Sequence, residues 1–218
     1  MANHQEEETF QRIVAALDRH PSLRDYDLHI QVKGDVVHLQ GVVDVLADKE
    51  LVEGIVKSVP EVGRVVNSLT ISTDGKLTDE DVLREVEEEL AMDWELRGIS
   101  PAVKGGVVYL HGQAKSLAHE RAAVAAAQRA RGVREVVSRL TFPGSCDNAT
   151  LKNRIERALR THPGTSHLPV RTAVRRGSVI LQGMVIDQQQ KRLVEEVAQS
   201  TLGVRRVINQ LELDLRME

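Results

Sequence analysis

A repeat of 71 residues constrains this chain more than any other feature. The segments Val32–Gly41, Val103–Gly112 and Val174–Gly183 align without gaps, and their final glycines stand 71 residues apart. The match continues downstream, where Leu69, Leu140 and Leu211 keep the same spacing. A fixed period of this kind is typical of tandem copies of one structural unit. The sequence therefore predicts one small fold built three times.

Each copy predicts two helices and three strands in the order αββαβ. In copy one, Ile13 and Leu17 recur at helical spacing, and Ile30 and Val32 alternate with polar residues as in a half-buried strand. The pairs Gly34-Asp35 and Gly105-Gly106 suit tight hairpin turns between the first two strands. We expect an α+β fold of three tandem modules, each with two helices packed on one face of a small mixed three-stranded sheet.

The expected modules span residues 5–74, 77–143 and 148–215. Short, turn-rich linkers fall near Thr73-Asp74-Gly75-Lys76 and Phe142–Asp147. Pro101 lies in the first strand of module two, and we expect this strand to be an edge because proline cannot donate to a β-ladder.

The second helix of each module is expected to begin near an N-cap residue, with Asp44, Ser116 and Asp187 as the candidates. Its buried face differs in volume between copies. Copy one has larger aliphatic side chains (Leu51, Val52, Ile55, Val56, Val59), and copy two has alanines at the same positions (Ala122, Ala123, Ala126, Ala127, Ala130). We expect module two to have the thinnest core.

Two sets of repeat positions are candidate structural residues. We expect Gly41, Gly112 and Gly183 to end the second strand where a Cβ would obstruct the departing chain. The second set, on the third strand, is polar: Asn67, Ser138 and Asn209. We expect these side chains to hydrogen-bond a neighbouring loop backbone, and a ligand-binding role is the alternative.

Composition and motifs argue against several functions. Aromatic residues make up 2% of the chain and the net charge is −3, so neither stacking platforms nor a basic field favours nucleic acid. The single cysteine, Cys146, can form no internal disulfide, and the histidines show no metal-binding spacing. No phosphate loop or nucleophile elbow is present. We expect no catalytic residues, no metal and no cofactor.

The repeated pattern resembles the BON domain. In copy one the resemblance rests on Val37, Leu39, Gly41, Val62, Val65, Asn67 and Leu69, with counterparts 71 and 142 residues further on, and copy two departs from it at Ser138. The family occurs in bacterial osmotic-stress and nodulation proteins. The resemblance implies an αββαβ fold, no enzymatic activity, and attachment to phospholipid membranes or to partners.

Charge is distributed unevenly among the modules. Residues 1–76 carry 8 basic and 13 acidic residues, whereas residues 146–218 carry 12 basic and 8 acidic residues. The candidate contacts for an anionic partner such as lipid headgroups are Arg154, Arg157, Arg160, Arg175 and Arg176. The alternatives are a solvated helix face or docking against the acidic modules of the same chain. Trp94, the only tryptophan, is surrounded by acidic residues, which favours packing within its module over membrane contact.

Two functional hypotheses follow from the sequence. The first is a non-enzymatic, stress-associated protein that binds a membrane surface or an envelope component. The second is a cytosolic scaffold or sensor that binds a protein partner or a small ion. Residues 1–8 resemble no secretory signal and no apolar run could span a bilayer, so we expect a cytoplasmic protein, or a periplasmic one if a leader has been removed.

Overall fold

The computed structural model describes residues 2–72, 77–143 and 147–214. The first expected linker, residues 73–76, lies outside these residues, as do Gly144, Ser145 and Cys146 of the second. Module one consists of α1 (Ala2–Leu17), β1 (His29–Lys33), β2 (Val36–Val43), α2 (Leu46–Lys57) and β3 (Arg64–Ile71). A 3-10 turn, Pro21–Leu23, lies between α1 and β1.

The other two modules repeat this order. Module two has α3 (Asp79–Ala91), a 3-10 turn (Trp94–Leu96), β4 (Ile99–Lys104), β5 (Val107–Gly112), α4 (Leu117–Arg129) and β6 (Glu135–Ser138). Module three has α5 (Asn148–Thr161), β7 (Arg171–Arg175), β8 (Ser178–Val185), α6 (Gln188–Gln199) and β9 (Arg206–Leu213). The predicted fold class, three α+β modules of αββαβ order, is confirmed.

Each module has its own three-stranded sheet with the second strand in the centre, in the orders β1-β2-β3, β4-β5-β6 and β7-β8-β9. In modules one and three the first two strands pair antiparallel, and the central strand pairs parallel with the third. The parallel pairing requires a crossover, which the second helix supplies. Strand β4, which contains Pro101, is an edge strand as predicted.

The contacts of the described residues divide them into two compact units. Of the described residues, the first unit takes in 2–72, 77–92, 101–109 and 125–137, and the second takes in 93–100, 110–124, 138–143 and 147–214. Module one therefore belongs to the first unit and module three to the second. The residues of module two are shared between them.

Aliphatic side chains form the cores of modules one and three. In module one, Ile13 from α1, Leu39 from β2 and Val52 from α2 are buried together. In module three, Ile155 from α5, Leu181 from β8 and Val194 from α6 are their counterparts. Because strand side chains alternate, the polar residues between these positions face away from the helices. Each of these sheets therefore has one face covered by helices and one open face.

The alanine face of α4 is buried as predicted, with one exception. Ala123, Ala126, Ala127 and Ala130 are buried, but Ala122 is exposed. Ala122 occupies the position of half-buried Leu51 in α2, at the margin of the helix face, where a methyl group is too short to reach the core. The prediction that Ala122 is buried was wrong.

Two of the three predicted N-caps are confirmed. Ser116 Oγ accepts a hydrogen bond from His119 N at 3.2 Å, and Asp187 accepts one from Gln190 N at 2.6 Å. The prediction that Asp44 caps α2 was wrong, because the N-cap of α2 is Val45, which supplies no side-chain hydrogen bond. Val45, Ser116 and Asp187 keep the 71-residue spacing, whereas Asp44 is one residue out of register.

A side chain at the start of the first helix holds the hairpin turn in every module. Gly34 N donates to Glu6 Oε1 at 2.8 Å, Gly105 N to Asp79 Oδ2 at 2.8 Å, and Arg176 N to Asn148 Oδ1 at 2.9 Å. The two hydrogen bonds from Gly105 and Gly106 lower the pKa of Asp79. The contact fixes the first helix against the hairpin that follows it.

Successive modules meet through equivalent positions within each unit. In the first unit, Gln128 Nε2 donates to Glu50 Oε1 at 2.9 Å. In the second unit, Arg121 donates to Gln199 Oε1, and both residues lie 71 positions beyond their counterparts. The same junction also includes a backbone bond of 3.2 Å from Gly203 N to Lys115 O.

Candidate functional site

The first helix of module three, α5, has one buried and one basic side. Leu151, Ile155 and Leu159 are buried in the core of the module. Asp147 caps the helix by accepting a 2.8 Å hydrogen bond from Thr150 N, and its hydrogen bonds to Thr150 lower its pKa. The helix ends at Thr161, before His162 and Pro163, as expected when a proline follows.

The structure brings three of the five candidate arginines together on this helix. Arg154, Arg157 and Arg160 are all exposed, at three-residue intervals along α5. At 3.6 residues per turn, Arg157 lies nearly opposite Ile155 at the centre of the buried side. The three exposed residues follow one side of the helix over about 9 Å.

The other two arginines lie elsewhere in module three. Arg175 ends β7 and pairs with Ser178 on the open face of the sheet, the face opposite α5. Arg176 is in the hairpin turn with a φ of +50°, next to the first residue of α5, Asn148. The five arginines therefore do not form a single surface, since Arg175 faces away from the α5 group.

A groove runs beside the basic side of α5, and the sequence patterns did not indicate it. It has a volume of about 600 Å³ and lies between the end of α5 and helix α6. Its walls include Ala158 and Thr161 from α5 and Leu193 and Val197 from α6. The helical spacing of Leu193 and Val197 was visible in the sequence, but it is equally typical of a fully buried face. The groove places apolar surface within one helical turn of Arg157 and Arg160.

The polar positions of the third strands bond to the second helix and to their own strand, where a loop had been expected. Asn67 Nδ2 donates to Glu53 Oε2 at 2.8 Å, and its Oδ1 accepts from Leu69 N at 3.1 Å. Asn209 makes the same contacts with Glu195 and Leu211, at 3.0 and 3.2 Å. Both side chains therefore use their amide groups in hydrogen bonds within their own module.

In module two, the residue on the third strand and its partner on the second helix are both different. Ser138 Oγ donates to Glu120, which stands at the position of Lys49 and Lys191 in the other modules. Those lysines donate instead to the backbone oxygens of Leu69 and Leu211, at 2.6 and 2.7 Å. The departure at Ser138 therefore comes with a compensating exchange on the second helix.

The repeat glycines allow close contact between two backbone segments. Gly41, Gly112 and Gly183 have φ values of +139°, +124° and +141°. A Cβ on these residues would lie 2.7, 2.4 and 2.4 Å from the carbonyl oxygens of the residues leading into the first strand, which are Asp27, Gly98 and Pro169. The expectation that all three end a strand was wrong, because β2 and β8 continue two residues beyond Gly41 and Gly183.

Trp94 does not pack into its module. It begins the 3-10 turn after α3 and is 67% exposed, so the packing expected from the sequence was wrong. Among the described residues, no group of three histidine, cysteine, aspartate or glutamate side chains is placed to hold a metal ion. None of the described helices is both long and apolar enough to cross a membrane.

The matches to known families reproduce the threefold repeat of the chain. A family model described as BON domain matches three times, at residues 5–73, 78–144 and 147–214. No curated protein matches the chain. Among solved structures, it is similar to CdsD, a structural protein of the type III secretion system of Chlamydia trachomatis, with 17% identity, a TM-score of 0.28, and coverage of 95% of this chain and 92% of that one. A structure of the CdsD C-terminal domain gives 18% identity, a TM-score of 0.27, and coverage of 94% and 96%.

Proposed function

Since this chain belongs to the BON domain family, we propose that it is a non-enzymatic protein that associates with anionic phospholipid surfaces through α5 of module three. BON domains occur in stress- and transport-associated proteins and are linked to phospholipid binding. The observation that carries the proposal is the exposed arginine series Arg154, Arg157 and Arg160, opposite the buried side of α5.

Two further features of module three support this surface. A basic residue near an anionic bilayer contributes about 1 kcal/mol of binding free energy. The groove between α5 and α6 adds apolar surface beside Arg157 and Arg160, where the headgroup region of a lipid meets its acyl chains. Arg176 lies at the opposite end of α5, because its turn is bonded to Asn148. A helix lying flat on the membrane would present the three arginines of α5 and the groove beside them to the lipid.

The opposed faces of module three supply a matched experiment. Arg157→Glu/Arg160→Glu reverses charge on α5, and Arg171→Glu/Arg206→Glu makes the same change on the open face of the sheet. Co-sedimentation with phosphatidylcholine vesicles, with and without phosphatidylglycerol, compares both variants with the unmodified chain. We expect the α5 variant to bind anionic vesicles at least about 30-fold more weakly, corresponding to a loss of about 2 kcal/mol.

Two controls test whether binding is electrostatic and whether it is specific to α5: the salt dependence and the open-face variant. The unmodified chain is expected to leave the vesicles as salt rises, since the attraction is screened within about 10 Å at 0.1 M. The open-face variant is expected to bind like the unmodified chain. Equal loss in both variants, or no preference for anionic vesicles, would contradict the proposal.

A further inference from the structure

Trp94 is the most exposed aromatic side chain of the chain, and it contributes nothing to the core of its module. Its side chain is 67% exposed, and the neighbouring acidic residues are Asp93 and Glu95. Tryptophan is among the residue types that contribute most to protein interfaces. An exposed indole between two carboxylates is suited to an apolar surface that is framed by cations.

The turn that carries Trp94 is held in place at several points. The Asp93 side chain accepts a hydrogen bond from Glu95 N at 2.9 Å, and His119 Nε2 lies 2.8 Å from Glu95 O. Leu96, at the other end of the turn, is buried. Trp94 is therefore presented from a fixed backbone, which lowers the entropic cost of binding through it.

The repeat shows that the fold does not require tryptophan here. Leu23 and Leu96 are the buried anchors of equivalent 3-10 turns, and Pro21 begins the turn of module one where Trp94 begins that of module two. The first helix of module three is likewise followed by a proline, Pro163. Proline occupies the start of this segment in the other two copies, so the fold does not require an indole there.

The open face of module three has the complementary chemistry. Strand pairing places Ala173, Ile180 and Ile208 side by side across β7, β8 and β9 on the side away from the helices. Arg175 and Arg206 flank Ser178 in the next row, and Arg171 lies about 13 Å from Arg175 along β7. All three arginines are exposed, and the two isoleucines are partly accessible.

We propose that this open face binds the Trp94 turn of a second copy of the chain. The indole would cover Ile180 and Ile208, while Asp93 and Glu95 meet the surrounding arginines. Charge complementarity selects this occupant, because an acidic turn with an aromatic centre meets a basic frame with an apolar centre. The corresponding face of module one suits an indole less well, since His38 and Val66 stand where module three has the isoleucines.

The contact joins two different surfaces, so it is heterologous: in a pair, one copy keeps a free Trp94 turn and the other keeps a free open face. Its area is small compared with the roughly 1,200 Å² of a stable interface, so the association is expected to be weak, in the micromolar range. It is independent of the lipid surface proposed on α5.

The first test uses the single tryptophan of the unmodified chain, in the absence of lipid. Analytical ultracentrifugation is combined with fluorescence over a concentration series. We expect the average mass to rise with concentration and the Trp94 emission to shift to shorter wavelength in parallel, and both changes to disappear at high salt. A monomer at every concentration, or an emission shift seen only with anionic vesicles, would overturn the proposal.

The second test mixes two half-deficient variants. Trp94→Ala keeps the open face, and Arg171→Glu/Arg175→Glu/Arg206→Glu keeps the turn. Each alone should remain monomeric, and the mixture should form a one-to-one dimer, which also shows that both variants fold. His29→Glu/Lys33→Glu/Arg64→Glu, on the open face of module one, is the matched control and should self-associate like the unmodified chain. Self-association of either deficient variant, or a mixture that stays monomeric, would refute the contact.

Discussion

Asn67 on β3 donates its side-chain amide to the Glu53 carboxylate on α2 at 2.8 Å, which ties the second helix of module one to its third strand. The bonds from Lys57 and Asn67 to Glu53 lower the pKa of this carboxyl. Asn67 also accepts from Leu69 N. One side chain therefore satisfies groups on two elements, which favours a fixed position for α2 over the sheet.

Asn67→Ala is expected to destabilise module one by about 1–3 kcal/mol, because it leaves the Leu69 amide and one oxygen of the partly buried Glu53 carboxylate without their partner, while the other oxygen keeps its bond from Lys57. Asn209→Ala should do the same in module three, where the contacts are repeated. Amide hydrogen exchange localises the effect, since exchange of Leu69 N should accelerate only in the first variant. Unchanged protection there would show that the bond contributes nothing to stability.

Ala126→Leu is expected to destabilise module two by about 1–3 kcal/mol, because Ala126 is buried and the added volume overpacks the core. Ala122→Leu is the matched control, as its side chain is exposed on the same helix. The thermal unfolding midpoint should fall for the first variant and change little for the second. A tolerated leucine at Ala126 would mean that the core of this module has room to spare.

Arg176→Gly is expected to stabilise module three by up to about 1 kcal/mol. Arg176 has a φ of +50°, a conformation that costs a residue with a Cβ about 1–2 kcal/mol and glycine very little. Gly34 and Gly105 occupy the same position in the other modules, and the bond from Arg176 N to Asn148 does not involve the side chain. Arg175→Gly, in an extended strand, should destabilise instead. A lower unfolding midpoint for Arg176→Gly would contradict this account of the turn.

The hairpin of module two is expected to respond to acid and that of module three is not. The pKa of Asp79 is lowered in the folded chain, so its contribution to stability is present above the ordinary aspartate value and is lost as the pH falls through the lowered one. Asn148 makes the equivalent bond without a titrating group. In an NMR titration, the amide signals of Gly105 and Gly106 should move with Asp79, and that of Arg176 should not. Matching movements of all three would point to general acid unfolding.

The repeat made the fold predictable from the sequence, but it did not predict which surfaces are exposed or where grooves form. Period and alternation located the strands, and a proline identified an edge, because these features follow from local backbone chemistry. Asp44 was assigned as an N-cap because aspartate is a common capping residue, although the 71-residue spacing from Ser116 and Asp187 indicates Val45. Trp94 was misjudged because the exposure of a side chain depends on how a whole module closes, and the direction in which Arg175 faces depends on the same closure. The groove beside α5 arises from the separation of two helices, which no single segment encodes.

The most direct test of the proposed function is a map of backbone amide shifts on addition of nanodiscs containing phosphatidylglycerol. We expect perturbations to concentrate on the outer side of α5, at Arg154, Arg157 and Arg160, and along the groove walls at Leu193 and Val197. Nanodiscs of phosphatidylcholine alone should leave these signals in place. Perturbations confined to the open sheet faces or to module one, or none with anionic lipid, would contradict the claim that α5 is the membrane-binding surface.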